Sequence, residues 1–414
     1  MVPGNRRFLA RPSILLADRV TQALSKIVQE VTGALALAGI GYYVVCLWSA
    51  VAYQQDCRSL PTGSEGLEAS ALPPVSILKP LKGEDPEIYE SFRSHCLQDY
   101  PQYEIVFAVS EADDPAMRAV ERLREEFPQR AIQLIVCSQR LGANTKVSNL
   151  AQIVRVARYD HLIVSDSDIR VEPDYLRKVI APLSNAKVGV VTCLYRGRAG
   201  ETLGSRLESL GISTDFCAGV LVARLVEGGV RFALGSTMAF RRADLAAIGG
   251  FESFVDYLAD DYELGKRISN LGREVQVSDV VVETFLPAYT LPEFFAHQLR
   301  WARGVRDARP GGYLGLLFTY GWLWTLLAVI VSRGAAWAGE LTAVAILLRL
   351  LVAWSVGVGV LKDRQVVKFF PLILLRDVVG SLVWLASFAG NTVSWRGDRF
   401  RLKNGKLIRV MSQE

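Results

Sequence analysis

The chain has 414 residues, half of them hydrophobic, and its 47 basic and 42 acidic side chains leave a net charge of only +5. Because this charge is small and balanced, the composition gives no indication of nucleic-acid binding. The six cysteines contain no CxxC pair and only three histidines are present, which argues against a zinc site. Hydrophobic residues concentrate at the two ends, which indicates a soluble middle region between membrane segments.

Residues 1–54 are predicted to form a basic segment followed by a membrane anchor. Five basic side chains lie before residue 31: Arg6, Arg7, Arg11, Arg19 and Lys26. Residues 31–53 then carry no charge over 23 positions, which is long enough for a helix to cross a bilayer. Residues 55–73 are rich in Gly, Ser and Pro, so we interpret them as a polar linker.

Residues 74–288 alternate short apolar runs with charged, amphipathic ones, the pattern of a soluble α/β domain. Strands are predicted at 75–78, 103–109, 132–136 and 162–164, with helices at 86–97, 117–127 and 146–157. Strands and helices that alternate at this spacing form βαβ units, so the sequence predicts a mostly parallel sheet. Later segments are predicted as strands at 188–193 and 232–240, and as a helix at 204–223.

Two acidic clusters follow strands of this predicted sheet. Asp113 and Asp114 come soon after the second strand. Asp166 and Asp168 come directly after the fourth strand. Because the carboxyl ends of parallel strands meet at one edge, we expect both clusters at the edge where open α/β folds bind ligands. Carboxylate oxygens suit Mg²⁺ or Mn²⁺ carrying a diphosphate, although a DxD alone is more often a solvated turn.

A further pair of acids, Asp260 and Asp261, begins a predicted helix. The positive end of a helix favours an ionised carboxylate, and an ionised carboxylate near a hydroxyl can act as a general base. An ordinary acidic first turn explains the same two residues equally well. The motif by itself therefore leaves both interpretations open.

The C-terminal third is predicted to associate with a membrane. Residues 289–310 combine aromatic side chains with arginines in an amphipathic pattern, which is typical of an interfacial helix. Residues 311–394 are interpreted as membrane helices, with apolar runs at 313–331, 341–361 and 366–393. The basic tail at 395–414 is expected to rest on a lipid surface.

Six motifs in order resemble those of a known enzyme family: KPLKG, SEADDPA, NTKVSNL, SDSDIRV, ADDYELG and HQLRW. Together they are similar to the ceramide glucosyltransferase family, which is glycosyltransferase family 21. The resemblance runs from about residue 75 to residue 303 and includes a branch associated with hopanoid biosynthesis in bacteria. It implies a GT-A (Rossmann-like) glycosyltransferase domain, within an α/β fold, flanked by transmembrane α-helices.

The resemblance also implies roles for residues on the donor side of an active site. Asp114 is similar to the aspartate that contacts the nucleoside of a UDP-sugar. Asp166 and Asp168 resemble the DxD that holds Mg²⁺ or Mn²⁺ and the diphosphate. Lys146 and Asn149 are expected to help bind the nucleotide.

On the acceptor side, Asp261 resembles the general base of the family, and Arg300 and Trp301 match the RW of its (Q/R)xxRW motif. His297 stands where this motif has Gln or Arg, which is a departure. A second departure is the form of the metal motif, because vertebrate-type ceramide enzymes resemble DSG whereas this chain has DSD. The DSD form is more similar to the hopanoid-associated branch.

The function implied is inverting transfer of a hexose, glucose or N-acetylglucosamine, from a UDP-sugar to a hydroxyl of a lipid acceptor, either ceramide or a hopanoid polyol. Other hypotheses are a processive family-2 polysaccharide synthase and a non-catalytic membrane scaffold. We expect an integral, multi-pass membrane protein of the bacterial inner membrane, with its catalytic domain in the cytoplasm where nucleotide sugars occur. The basic residues before the first span oppose this orientation under the positive-inside rule.

Overall fold

The computed structural model describes residues 12–59, 72–395 and 397–410. Most of the predicted linker and both ends of the chain lie outside the described residues. Contacts divide the chain into two units. The first, called the helical unit, draws on residues 1–45 and 315–351, and the second, called the sheet unit, on residues 46–314 and 352–414.

The sheet unit is built on a mixed sheet that has eight strands among the described residues. These are β1 (Val75–Pro80), β2 (Tyr103–Val109), β3 (Ala131–Val136), β4 (His161–Val164), β5 (Ile169–Arg170), β6 (Val188–Arg198), β7 (Met238–Arg241) and β8 (Glu274–Phe285). Their spatial order is β3-β2-β1-β4-β7-β6-β8-β5. Every residue of β1 and β2 is buried, which explains why both strands are mostly apolar apart from Ser76, Lys79 and Glu104.

Strand direction changes halfway across the sheet. The predicted βαβ region gives β3, β2, β1 and β4 in parallel, whereas β7 runs antiparallel to both of its neighbours. The predicted strand at 232–240 is wrong over its first six residues, because only Met238–Arg241 pair as β7. The preceding residues form a turn around Gly235, closed by a bridge between Leu234 and Thr237.

Helices connect successive strands of the sheet along the chain. In the sheet unit they include α2 (Ile88–Cys96), α3 (Ala116–Glu126), α4 (Thr145–Ile153), α5 (Tyr175–Ile180), α6 (Leu203–Gly211), α7 (Cys217–Val226), α8 (Arg242–Ala247), α9 (Asp260–Asn270) and α10 (Leu291–Ala308). A π-helical turn, Ile212–Phe216, joins α6 to α7, so the predicted helix at 204–223 is continuous but locally wider.

Apolar helices occur near both ends of the chain and also inside the sheet unit. Four described segments are long and apolar enough to cross a membrane: Thr21–Ser59, Leu203–Val226, Ala336–Val360 and Phe370–Ser387. The first belongs to α1 (Pro12–Ser59), the third begins as α13 (Ala336–Ala353), and the fourth contains α15 (Ile373–Ser387). The apolar run predicted at 313–331 is instead broken, because Pro310–Thr319 and Gly321–Val331 meet at 56°.

Two glycines determine how helices of the helical unit cross. A Cβ atom on Gly39 of α1 would overlap the backbone of Gly321, the first residue of α12 (Gly321–Val331). Tyr43 lies one turn further along α1, and its hydroxyl contacts the backbone nitrogen of Trp322 at 3.4 Å. Small residues at a crossing allow two apolar helices to approach closely, which is how helices associate in lipid.

The arginines of α10 contact protein. Arg303 donates to the carbonyl oxygen of Thr392 at 2.5 Å, and Arg306 donates to the carbonyl oxygens of Ser387 and Gly390. These carbonyls follow the end of α15, where a cation is favourable. The amphipathic pattern therefore reflects packing of α10 against α15 in addition to any interfacial role.

The basic tail folds into a small antiparallel sheet. Its strands are β9 (Thr392–Trp395), β10 (Asp398–Lys403) and β11 (Lys406–Arg409). Phe400, Leu402 and Leu407 form one face and are buried together with Val393. Charged residues occupy the other face, which produces the alternation of β10. The prediction for this tail rests on its basic charge and includes no strand. The alternation of charged and apolar residues in β10 is the signal for one.

Glu104 provides a test of how the parallel half of the sheet is held. Its carboxylate is fully buried on β2 and accepts from Ser76 Oγ at 2.7 Å, Arg158 N at 2.6 Å and Gln133 Nε2 at 3.0 Å. Glu104→Leu leaves these buried donors unsatisfied, so we expect a loss of about 3 kcal/mol in stability. Thermal unfolding in detergent measures the lowered midpoint. The exposed Glu121→Leu on α3 is the control and should leave the midpoint unchanged.

Candidate active site

The carboxyl ends of the parallel strands carry the first acidic cluster, as expected. Asp114 is 6% exposed and accepts from the backbone nitrogen of Gly83 at 3.0 Å and from that of Ala116 at 3.0 Å. Gly83 follows β1 and Asp114 follows β2, so this carboxylate links two adjacent strand ends. Asn149 lies on α4, where it is buried and accepts from Ser110 Oγ at 3.2 Å.

The DxD residues lie in the connection between β4 and β5. Asp166 pairs with Lys146, whose Nζ is 2.7 Å from Asp166 Oδ1. Asp168 accepts from the Thr284 hydroxyl at 2.5 Å, which ties it to the end of β8. Burial, with a further contribution from the Asp166 carboxylate, raises the pKa of Asp168 to about 6. The two acids are therefore close enough to destabilise each other's charge.

Asp260 and Asp261 occupy the first turn of α9 and face different partners. Lys146 Nζ lies 2.9 Å from Asp260 Oδ2, so one lysine joins Asp260 to Asp166. Asp261 accepts from the backbone nitrogen of Gly235 at 2.9 Å and from that of Tyr262 at 2.7 Å. Burial and the Asp260 carboxylate raise the pKa of Asp261 to about 6, against the lowering effect of Lys146. A base with a pKa near neutrality suits proton transfer.

Gly235 separates the two groups of acids. Its nitrogen donates to Asp261, and its oxygen accepts from the backbone nitrogen of Asp166 at 3.3 Å. A Cβ atom at this position would lie 2.8 Å from Asp166 Oδ2 and 3.5 Å from Asp261 Oδ2. The glycine therefore leaves open the space between the two carboxylates. The strand predicted at 232–240 includes this glycine, whereas the structure places it in a turn.

Carboxylate oxygens and this open cradle fit a divalent cation. Asp166 and Asp168 supply hard oxygen ligands, and Mg²⁺ or Mn²⁺ takes few carboxylates and completes its shell with water or phosphate oxygens. Within the described residues, no group of three or more His, Cys, Asp and Glu side chains is arranged to hold a metal alone. Two carboxylates and a diphosphate would together satisfy such an ion.

Lys79 is a site residue that lies just beyond the strand predicted at 75–78. The structure places it inside β1, fully buried, with Nζ donating to the carbonyl oxygen of Asp166 at 2.8 Å and contacting Ser165 Oγ at 3.3 Å. Burial lowers its pKa to about 7, although the Asp168 and Asp166 carboxylates act in the opposite direction. A lysine within an otherwise apolar strand was the available signal.

The RW motif lies on the half-buried side of α10. Trp301 contacts Phe216 at a ring distance of 6.3 Å, and Phe216 contacts Tyr195 at 5.6 Å. Burial raises the pKa of the Tyr289 phenol to about 12, and the charge of Arg300 acts on this pKa in the opposite direction. The aromatic residues extend from the RW motif to β6 beside the carboxylates.

The C-terminal sheet holds the loop that precedes α9. Leu258 N donates to Gly405 O at 3.0 Å, and Leu407 N donates to Asp256 O at 2.7 Å. The Gly405 nitrogen also donates to the carboxylate of Asp307 on α10. The loop that leads into Asp260 and Asp261 is therefore connected, through the C-terminal sheet, to the helix that carries the RW motif.

Comparisons with known proteins identify the family of the chain. A family model described as Glycosyl transferase family 21 matches residues 31–408. Ceramide glucosyltransferase 3 of Caenorhabditis elegans is 23% identical over 402 residues, covering 92% of this chain and 83% of that protein. Ceramide glucosyltransferase 1 of the same species is 25% identical over 353 residues, covering 82% of this chain and 74% of that protein.

Among solved structures, a mannosyltransferase from Pyrobaculum calidifontis in complex with GDP-Man and Mn²⁺ is similar in fold. It is 22% identical, with a TM-score of 0.52, and the match covers 86% of this chain and 99% of that chain. The expected GT-A fold of the sheet unit is confirmed, and the described residues also include several apolar helices.

Removal of residues 392–414 tests the role of the C-terminal sheet. Since the deletion removes the backbone partners of Asp256 and Leu258, we expect amide hydrogen exchange at 256–262 to rise about tenfold or more. Hydrogen exchange followed by mass spectrometry measures the change, and removal of only the last four residues is the matched control. Unchanged exchange in this loop would show that the sheet does not hold it.

Proposed function

The chain belongs to glycosyl transferase family 21, and on this premise we propose that it is a membrane-bound, inverting hexosyltransferase that uses a UDP-sugar and glycosylates the hydroxyl of a lipid. The observation that carries the proposal is that Asp166 and Asp261 both border the small open space at Gly235, where a Cβ atom would lie 2.8 Å from Asp166 Oδ2 and 3.5 Å from Asp261 Oδ2. One carboxylate belongs to a DxD, and the other accepts hydrogen bonds at the start of a helix. A donor diphosphate and an acceptor hydroxyl need such separate groups on either side of the reacting carbon.

On the donor side, Asp114 binds the nucleoside, with Lys146 and Asn149 near the nucleotide. Asp166 and Asp168 would hold Mg²⁺ or Mn²⁺, which when bound neutralises charge on the departing diphosphate. Lys146 supports this role because it already pairs with Asp166 and Asp260, which keeps both carboxylates in place. The mannosyltransferase that shares the fold was solved with a nucleotide sugar and Mn²⁺, which also supports the assignment.

On the acceptor side, Asp261 removes the proton of the lipid hydroxyl as its oxygen attacks the anomeric carbon. Attack from the face opposite the leaving diphosphate inverts the configuration, so an α-linked donor gives a β-glycoside. Arg300 and Trp301 contribute from α10, where the guanidinium stabilises negative charge on the departing phosphate. The raised pKa of Asp261 supports the role of base, since a carboxylate with a pKa near neutrality is a stronger base than an ordinary aspartate.

The relatives and the apolar helices support the choice of a lipid acceptor. The two relatives reported above are named as ceramide glucosyltransferases, which favours ceramide and glucose. A hopanoid polyol and N-acetylglucosamine are the second pair, supported by the DSD form of the metal motif. The four candidate spans support an integral, multi-pass protein, and the use of a nucleotide sugar places the catalytic domain in the cytoplasm.

Product analysis tests the proposal directly. Purified protein is incubated with UDP-glucose or UDP-N-acetylglucosamine and with ceramide or a hopanoid polyol, and products are identified by mass spectrometry. We expect one β-linked monoglycosylated lipid, formed only when Mg²⁺ or Mn²⁺ is present, with EDTA abolishing its formation. A growing sugar polymer would instead identify a polysaccharide synthase, and an α-linked product would contradict inversion.

Asp261→Asn separates chemistry from donor binding. The amide keeps the size of the side chain but cannot take a proton, so we expect kcat to fall about a thousandfold while Kd for the UDP-sugar changes less than about threefold. Initial rates and calorimetric titration measure the two quantities. Glu125→Gln, an exposed change on α3, is the control. A near-normal kcat for Asp261→Asn would assign the base elsewhere.

A further inference from the structure

A buried carboxylate lies on one of the apolar helical segments of the sheet unit. Glu208 is 1% exposed and belongs to α6, within the Leu203–Val226 segment that is long and apolar enough to cross a membrane. An ionisable side chain in such a segment is costly unless it is paired, and it is commonly functional. The proposed mechanism does not use Glu208.

Two polar residues of α10 face this carboxylate. Gln298 Nε2 donates to Glu208 Oε2 at 2.6 Å, and His297 Nδ1 lies 3.5 Å from Glu208 Oε1. Arg376 of α15 donates to the other end of the Gln298 amide at 2.9 Å. Gly211 makes room for the Arg376 guanidinium, because a Cβ atom on any other residue at this position would overlap it. Arg376 therefore holds Gln298, which in turn holds Glu208, while His297 approaches the other oxygen of this carboxylate.

The imidazole of His297 has a defined orientation. One face stacks on Tyr289 at a ring distance of 5.3 Å and an interplanar angle of 23°, and Trp301 lies 5.3 Å away. The side chain keeps 20% of its surface exposed. Nδ1 is buried and faces the Glu208 carboxylate at 3.5 Å without forming a hydrogen bond; this negative charge favours the proton on Nδ1, which leaves Nε2 to accept a hydrogen bond from a ligand.

The pair lies close to the proposed active site. Ser209, the neighbour of Glu208, donates to the Gly197 carbonyl oxygen at 2.7 Å. Gly197 on β6 pairs with Thr284 on β8, and the Thr284 hydroxyl donates to Asp168 at 2.5 Å. Three successive contacts thus connect the buried glutamate to the DxD. His297 stacks on Tyr289. Burial raises the pKa of this phenol, and the charges of Glu208, Arg300, Asp168 and Asp85 also act on it.

We propose that Glu208 and His297 form a headgroup subsite, in which the His297 imidazole binds a second polar group of the lipid acceptor and Glu208 orients the ring. This proposal rests on the proposed function and specifies its acceptor. The ligand is an amphiphile whose head carries a hydrogen-bond donor close to the hydroxyl that receives the sugar, and a vicinal diol is the simplest probe of such a head. An apolar helix segment bearing one buried polar pair suits an apolar chain with a small polar head. His297, which replaces the usual Gln or Arg, would adapt this subsite to the acceptor of this chain.

The test compares two lipids that differ in one hydroxyl: a long-chain vicinal diol and the matching monoalcohol. For the wild-type protein we expect kcat/KM for the diol to exceed that for the monoalcohol about tenfold, the effect of one lost hydrogen bond. His297→Phe keeps the stacking but removes both nitrogens, so the preference should fall below about twofold. His297→Gln retains a donor and an acceptor and should preserve most of the preference.

Glu208→Gln and a control complete the experiment. Glu208→Gln keeps an amide contact with Gln298 but no longer orients the imidazole, so it should lose most of the preference for the diol. Val305→Ala, an exposed change on the same helix, should retain it. If His297→Phe slows both lipids by the same factor, the pair only stabilises the fold and the proposal is overturned.

Competitive displacement of a fluorescent lipid from the detergent-solubilised protein separates this proposal from the function itself. The wild-type protein should bind the diol more tightly than the monoalcohol, and His297→Phe should bind the two equally. Preferential diol binding without sugar transfer to any lipid would refute the proposed function and support the subsite. Equal binding of both lipids by the wild-type protein would refute the subsite, whatever the transfer result.

Discussion

The site depends on one lysine that neutralises a group of mutually repelling carboxylates. Lys146 contacts Asp166 at 2.7 Å and Asp260 at 2.9 Å, and these two acids arrive from different elements. Without this cation, the charges of Asp166, Asp168, Asp260 and Asp261 would oppose one another at the same edge of the sheet. Lys146 therefore joins the loop after β4 to the first turn of α9. Burial first, and then the neighbouring Asp166 and Asp260 carboxylates, raise the pKa values of Asp168 and Asp261 to about 6, so a bound cation would stabilise the charged form of these acids.

Reversal of strand direction brings the remaining groups to this edge. Because β7 is antiparallel to β4, the residues before β7 lie at the carboxyl end of β4, and Gly235 meets Asp166 there. Because β8 is parallel to β6, its last residues reach the same edge, where Thr284 bonds to Asp168. A fully parallel sheet would have placed the segment before β7 at the opposite edge. The mixed topology is therefore required for the glycine turn to separate the two groups of acids.

Helix α10 joins the apolar helices of the sheet unit to one another. Helix α10 packs between α6 and α15, with its arginines on the carbonyls after α15 and its Gln298 on Glu208. The same helix carries His297 and the RW motif, so packing and proposed function share one element. In the sheet unit, the C-terminal strands then tie α10 to the loop before α9 through Asp307 and Gly405. The C-terminal strands come after the apolar helices in sequence, and they pack back onto the sheet unit because they make these two contacts.

The sequence by itself determined the alternating elements, the acidic clusters at strand ends and the order of motifs, because these depend on local periodicity and short spacing. Asp114, Asp166 and Asp168 could be assigned to one edge from strand direction alone. Only the tertiary structure decided that Lys79 lies under the DxD, that Lys146 pairs with two acids, and that Glu208 meets His297. Each of these contacts joins residues far apart in the chain. Their pairing follows from the mixed strand order and from helix packing, which no local pattern encodes.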